Sequence, residues 1–246
     1  MGVKERRTKL LLAFFLLSEI DRTHIPLDDR FYIIFDIPVN NKTRANIKRL
    51  ITEGLIRTDD HAEGYELTNK GLEELALDFP YVRYINAPWD GVWRIVSYEI
   101  PEKRREMRDR LRREMAGWGL GPWHRSFWLT PHPIIEPLHL LIKGKEEEQY
   151  VQAFESDHKL GDRELLIEKV WGKASLEAKY KELFKRWHEI LSLDEDKYKK
   201  FSKVVGQYVN ILRIDPGLPK ELVGEQWIGH EAHTIYREIK NILLYS

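Results

Sequence analysis

The sequence predicts an α+β protein built from three successive segments. Three observations carry the prediction: a helix-rich N-terminal stretch interrupted by one short extended pair, a middle stretch mixing extended runs with one arginine-studded amphipathic helix, and a C-terminal third with apolar residues at helical spacing. The 246 residues are 42% hydrophobic and 33% charged, which is enough to bury a core and long for one compact unit. The divisions fall at 1–80, 81–174 and 175–246.

In the first segment Val3 to Ile20 reads as a helix apolar around most of its circumference, and hence buried. KERRTK before Leu10–Leu17 mimics the start of a signal peptide, but Ser18, Glu19, Asp21 and Arg22 follow without a small-x-small cleavage site. Eight apolar residues also fall short of the about 20 that cross a bilayer. After a break at Thr23–Pro26, a second short helix is expected from Asp28 to Asp36, with Asp28 as N-cap and Pro38 as the stop. A third helix starts at Asn40 or Asn41; Ile47, Leu50, Ile51 and Leu55 are its core stripe, and Gly54 marks its end. Leu55–Thr58 and Tyr65–Thr68 are extended around the polar turn DDHAEG, and Asn69–Leu77 returns to helix. This order of elements is that of a winged helix-turn-helix, whose third helix enters the DNA major groove.

Net charge gives no help, because 40 Lys and Arg balance 40 Asp and Glu; a DNA-facing surface has to be local. Between Met1 and Thr58 there are 11 bases against 7 acids, and Lys42 to Arg49 holds four bases and no acid. With Ile47, Leu50 and Ile51 turned to the core, the third helix presents Lys42, Ala45, Asn46, Lys48 and Arg49 outward, with Asn41 at the rim and Arg44 near the apolar edge. Bases and amides so placed can reach base edges and phosphates, although an ordinary solvated face uses the same residue types. The hairpin turn carries Asp59, Asp60 and Glu63 where a phosphate-contacting wing would want cations, which puts its DNA role in doubt.

In the middle segment Phe79–Pro88 is a joint and Val92–Ile100 a strand closed by Pro101. Glu102–Trp118 is a helix with Met107, Leu111, Met115 and Trp118 on one stripe and Arg104, Arg105, Arg108, Arg112 and Arg113 around the rest. A Gly119–Pro122 turn leads to a strand over His124–Thr130, with further extended pieces at Leu138–Ile142 and Val151–Glu155. The arginines read as a solvated face partly neutralised by Glu102, Glu106, Asp109 and Glu114. From Ser175, expected as an N-cap, the chain is helical: one stripe holds Leu176, Tyr180, Leu183, Phe184, Trp187 and Leu191. A second runs from Tyr198 to Leu212, and a third, after the break at Asp215–Pro219, carries Ala232, Ile235, Tyr236, Ile239, Ile242 and Leu243.

Three blocks in order resemble the PaaX family of transcriptional repressors. They are Arg44, Arg49-Leu50, Gly54-Leu55 and Gly71; then WDGVWRIVSYEIP through Arg108, Arg112, Gly119, Gly121, Ser126 and Pro131; then Asp215-Pro216, Leu218-Pro219, Trp227, Gly229 and Ala232. The resemblance implies a ferredoxin-like middle domain, similar to the small CRISPR spacer-acquisition nuclease, and a helical C-terminal domain. It further implies a dimer that binds a double-stranded DNA operator through Asn41, Lys42, Arg44, Ala45, Asn46, Lys48 and Arg49, and that a small effector such as an acyl- or aryl-CoA thioester releases.

Two other classes stay open at this point. A metal-dependent nuclease would use Glu99, which stands where the related nuclease places a metal-binding aspartate; here a single carboxylate is in position, so no metal and no catalytic residue is assigned. A scaffold without DNA binding is the second. His230 and His233 have i, i+3 spacing, but the sequence places no carboxylate close by on the same helix face, so no metal is expected there, and the absence of Cys excludes disulfides and thiolate sites and fits a reducing cytoplasm. No cofactor and no membrane partner is expected.

Overall fold

Two sheets and twelve α-helices make up the computed structural model, which describes residues 6–18, 24–59, 62–86 and 88–245. The expected α+β class holds. The described chain groups into two compact units: Met1–Asp78 with Ala178–Leu212 and Ile228–Ser246, and Phe79–Glu177 with Arg213–Trp227. The C-terminal segment thus contributes to both. No helix among the described residues is long and apolar enough to cross a membrane.

The first unit is laid on α1 (Arg6–Leu17), whose Leu10 to Phe14 are fully buried; its expected ends at Val3 and Ile20 lie outside the described residues. Next come α2 (Asp29–Phe35), capped by Asp28, whose side chain accepts from the Phe31 amide, and α3 (Asn41–Thr52), capped by Asn40. Then β1 (Ile56–Asp59) and β2 (Ala62–Leu67) form an antiparallel pair, followed by α4 (Asn69–Asp78). A bridge between Ile25 and Tyr65 adds a third extended piece to the hairpin. Helices α9 (Lys173–Ser192), α10 (Lys197–Leu212) and α12 (Ile228–Tyr245) complete the unit. Its aromatic centre is Trp187, Tyr208 and Tyr236, with the two tyrosine rings stacked at 4.7 Å.

The second unit opens with α5 (Tyr81–Asn86), then β3 (Trp93–Tyr98), a short 3-10 turn, and α6 (Arg105–Gly117). Strands β4 (Gly121–His124) and β5 (Phe127–Thr130) precede α7 (Ile135–Ile142), β6 (Val151–Ser156), α8 (Arg163–Trp171) and, later in the chain, α11 (Lys220–Val223). The sheet order is β4-β5-β3-β6 and every pair is antiparallel. Ile95 faces Leu129 on one side and Phe154 on the other.

Four sequence expectations are corrected. The strand over His124–Thr130 is a hairpin of β4 and β5, turned by Arg125 at a positive φ of 47°, a conformation that no apolar pattern signals. Leu138–Ile142 is helix, since a five-residue apolar run does not distinguish the two states and Pro137 sits in a first turn that tolerates it. Helix resumes at Arg163 through the Asp162 N-cap, and α9 already starts at Lys173, so Ser175 lies inside a helix and caps nothing. Ile51, Leu191 and Ile242 are exposed rather than on the core stripes.

Inside the second unit, four stretches of backbone meet almost without intervening side chains. A Cβ on Gly121 would stand 2.1 Å from Val170 Cγ1, and one on Gly217, whose φ is +64°, would stand 2.3 Å from the Pro80 carbonyl oxygen. Trp171 Nε1 donates to the Gly119 carbonyl at 3.0 Å, and the Arg83 guanidinium donates to the Trp118 carbonyl. Buried Asp215 accepts from the Gly217 amide at 2.8 Å, and His132 Nε2 lies 3.3 Å from the Pro216 carbonyl.

Gly217→Ala is expected to destabilise the protein by about 2–3 kcal/mol. Gly206→Ala, in α10 with open space around the glycine, is expected to stabilise it by about 0.5–1 kcal/mol; urea denaturation reads both. Burial, reinforced by nearby Arg83, pushes His132 down to about 4. The unfolded chain therefore takes up this proton first, so stability is full above about pH 6.5 and falls as pH drops toward 4, with a loss of about 2 kcal/mol at pH 5. Urea midpoints that do not fall on acidification, or that fall equally in His132→Gln, would refute this assignment.

Candidate nucleic-acid interface

Helix α3 owes its position to contacts at its own N-terminus. The Asn40 side chain accepts from the Thr43 amide at 3.0 Å, and the Thr43 hydroxyl donates to the Pro38 carbonyl at 2.6 Å. Thr43 is 1% exposed, so this hydroxyl is a buried pin and not a solvent-facing group. One step earlier the chain turns at Asp36, in the left-handed region at φ 49°. There the buried Lys9 ammonium donates to the Asp36 carbonyl and lies 3.2 Å from its carboxylate. Lys9 holds the α2–α3 turn from beneath. In the sequence it is only one base of a surplus, because a lysine in an apolar helix carries no signal of which carbonyl it will reach.

With Ile47 and Leu50 buried beneath it, α3 exposes Asn41, Lys42, Arg44, Ala45, Lys48 and Arg49. Asn46 is half-buried, and its Nδ2 donates back to the Lys42 carbonyl at 2.8 Å, which spends part of its donor capacity on the helix itself. Arg49 is also engaged: its Nε lies 2.7 Å from Glu53, whose other carboxylate oxygen is 2.6 Å from Arg7, and Arg7 continues to Glu74 at 3.0 Å. The Arg49 hydrogen bond is the main reason the Glu53 carboxyl is held below the usual carboxylate range. Arg44 is exposed and close enough to Tyr32 to offset part of the upward shift that burial and Tyr65 impose on that phenol. Lys42, Arg44 and Lys48 form no ion pair among the described residues, which leaves three cations along one helix to meet an anion.

The hairpin is neutralised where it is described. Arg57 pairs with Glu66 across the strands at 2.7 Å. Asp60 and the side chains of Asp59 and Glu63 lie outside the described residues.

Elsewhere the chemistry-bearing residues are structural. Arg94, 5% exposed in the central strand, forks onto Asp90 at 2.9 and 2.5 Å and reaches Glu155 at 3.1 Å and the Val92 and Pro131 carbonyls at 3.1 Å each. Asp90 also accepts from the Val92 amide, and Trp89 Nε1 donates to the Val92 carbonyl, so WDGVWR is a self-closed turn; the Arg94 hydrogen bond lowers the Asp90 carboxyl. Of the arginines from Arg104 to Arg113, Arg104 and Arg110 pair with Glu146 and Glu147, and Arg108 with Glu102. Glu99 is exposed just beyond β3, and its amide donates to the Tyr150 carbonyl at 3.0 Å. His233 is pushed down to about 4 by burial and lies 3.4 Å from the Tyr208 hydroxyl. Among the described residues no three His, Asp or Glu side chains gather as a metal site.

Comparison with known proteins gives a consistent picture. Residues 86–166 match the central Cas2-like domain of the PaaX protein, and residues 171–245 match the PaaX-like C-terminal domain. No curated protein matches the chain. Among solved structures, the uncharacterized protein Rv0674 from Mycobacterium tuberculosis superposes with a TM-score of 0.54 at 17% identity, covering 95% of this chain and 94% of that one. That likeness is one of fold.

Replacing Lys9 by Met should remove the donor to the Asp36 carbonyl and cost about 1–3 kcal/mol. Lys203→Met, which breaks only an exposed pair with Glu195, should stay within about 0.5 kcal/mol. Equal urea midpoints for the two variants would show that the buried lysine does not hold the turn.

Proposed function

Because the chain belongs to the PaaX family, we propose that it is a DNA-binding transcriptional repressor whose reading element is α3. The carrying observation is the outward row of Lys42, Arg44 and Lys48 beside Asn41 and Ala45, on a helix pinned at its start by Asn40 and Thr43. Lysines and arginines in that arrangement can supply phosphate contacts, and the Asn41 amide is a donor and acceptor of the kind that reads base edges. Asn46 and Arg49 take secondary roles, since each is tied to a neighbour in the helix.

On this reading residues 1–80 are a winged helix-turn-helix, residues 81–174 a ferredoxin-like domain and residues 175–246 a helical domain. The order helix, helix, helix, hairpin, helix and the Ile25–Tyr65 bridge support the first assignment. The strand order β4-β5-β3-β6, with helices between β3 and β4 and between β5 and β6, supports the second. The protein works in the cytoplasm as a homodimer on a two-fold operator, and a small effector such as an acyl- or aryl-CoA releases it by preferring a conformation with wrongly spaced reading helices. This reading assigns no catalytic residue, and the regulator reading is preferred over the nuclease alternative because the family is one of regulators.

Selection of bound fragments from the source genome should return a duplex site. Lys42→Ala with Lys48→Ala should then weaken binding roughly tenfold and flatten the slope of log affinity against log salt by about one for each phosphate that is no longer neutralised. An unchanged slope would remove α3 from the interface. The mass in solution at micromolar concentration should be that of a dimer, and a strict monomer with and without DNA would overturn the two-fold mechanism.

A further inference from the structure

The first unit contains a cavity of about 350 Å³ bordered by α2, the first turn of α10 and the end of α12. Ile25, Pro26, Phe31 and Ile34 line it with apolar surface, and Arg30 and Tyr198 bring polar groups to it. We propose that this cavity binds a small apolar carboxylate, and that its occupancy biases α3 through α2. Its binding part stands on the cavity alone; its consequence for DNA rests on the regulator reading above.

Size and chemistry choose the ligand class. At interior packing density the cavity has room for roughly ten to fifteen non-hydrogen atoms, which suits one aromatic ring or a medium alkyl chain and not a whole nucleotide-bearing thioester. Arg30 is the permanent cation of the lining. Its Nε holds Asp28 at 2.6 Å, and the Tyr198 phenol lines the same cavity. A guanidinium offers five donors, and a carboxylate is the small anion that matches its fork, so the ligand's acid group would share Arg30 with Asp28 while its apolar body replaces water against Phe31 and Ile34.

The same contacts give a route to DNA. Asp28 is the N-cap of α2, accepting from the Phe31 amide at 3.0 Å. Ile34 is on the cavity wall, and its carbonyl accepts from Ser202 of α10 at 2.8 Å. A ligand that draws Arg30 from Asp28 and wedges against Phe31 therefore acts on the N-cap and on the seat of α2 upon α10 at once. The far end of α2 is the Asp36 turn held by Lys9, and five residues later α3 begins. A shift of α2 has α3 as its next rigid neighbour.

The test uses the full chain and isothermal titration calorimetry with benzoate and octanoate, alongside benzamide and octanamide as uncharged counterparts and benzoyl-CoA as the thioester. Saturable binding of one acid in the range of about 0.1–1 mM is expected, about tenfold tighter than its amide. Arg30→Gln, at a half-exposed side chain, should erase that preference for acid over amide, and Leu244→Trp, filling the cavity, should abolish binding of both; circular dichroism checks that each variant folds. No saturable heat below about 10 mM, acids no better than amides, affinities equal in the wild type and Arg30→Gln, or binding of benzoyl-CoA alone would each overturn the site. Fluorescence anisotropy on the selected duplex then reads the coupling: the acid should change DNA affinity several-fold in the wild type and not in Leu244→Trp. Acid binding with unchanged DNA affinity overturns the coupling, whereas failure to bind any duplex without ligand overturns the regulator reading and leaves the calorimetric result to stand on its own.

Discussion

Two helices of the first unit have their last carbonyls completed by two buried lysines. Lys240 of α12, 1% exposed, donates toward the carbonyls of Leu16, Leu17 and Ser18 at 3.4, 3.2 and 3.2 Å, and Tyr236 adds its hydroxyl to Leu16 at 3.2 Å. Lys9 of α1 does the same for the end of α2. Each cation stands at the negative end of a helix dipole and donates to carbonyls that the helix itself leaves without a partner. Burying an ammonium without such partners would cost several kcal/mol, so the lysines and the helix ends are stable only together. The rest of the unit is ordered by this relay: α12 fixes the end of α1, α1 fixes the end of α2, and the turn after α2 fixes the start of α3. A helix that faces solvent with three cations, none of them in an ion pair among the described residues, therefore inherits its position from the C-terminal helix of the chain.

The second unit obeys a different constraint, one of space. At Gly121 and Gly217 backbone approaches a neighbouring segment so closely that even a methyl group would collide, and the polar atoms brought together there satisfy one another. Asp215 turns its own loop by accepting the Gly217 amide, His132 meets the Pro216 carbonyl, and Trp171 and Arg83 cover the carbonyls of Gly119 and Trp118. A buried carboxylate, a neutral imidazole and a guanidinium pushed down to about 10 by desolvation coexist because each has a backbone partner. The residues that make the family legible, WDGVWR, the Gly119–Gly121 turn and the Asp-Pro-Gly-Leu-Pro segment, are thus elements of packing.

This explains which parts of the molecule could be read from sequence. Element order in the first unit was legible because apolar spacing and caps agree: Asp28 and Asn40 are N-caps in fact, and Ile47 and Leu50 lie on the core as their spacing requires. The basic face of α3 was legible for the same reason, since whatever is opposite Ile47 must face outward. The β4–β5 hairpin was not, because its turn depends on Arg125 adopting a positive φ, a choice made by tertiary context. Helix α8 was missed because Gly161, Asp162 and a short mixed segment look like loop until the Asp162 cap is seen closing on Leu165. The engagement of Arg49 by Glu53, with Arg7 and Glu74 behind it, was also invisible: the Arg49–Glu53 pair has helical spacing, but its extension to Arg7 and Glu74 crosses between helices far apart in sequence.

The distribution of ties within α3 separates what the fold needs from what DNA would read. Thr43, Ile47 and Leu50 are committed to the interior, and Arg49 to an ion-pair network that also holds α1 and α4. Changing Arg49 therefore disturbs two things at once, the surface it presents and the Glu53 carboxylate it leaves beside Arg7. The side chains of Lys42, Ala45 and Lys48 face water with no internal partner among the described residues, and exposed side chains of that kind contribute little to stability. Substitution at those three positions changes the surface the helix presents while leaving the interior contacts of α3 in place. The separation falls between adjacent positions of a single helix, with Lys48 on the free side and Arg49 on the bound one.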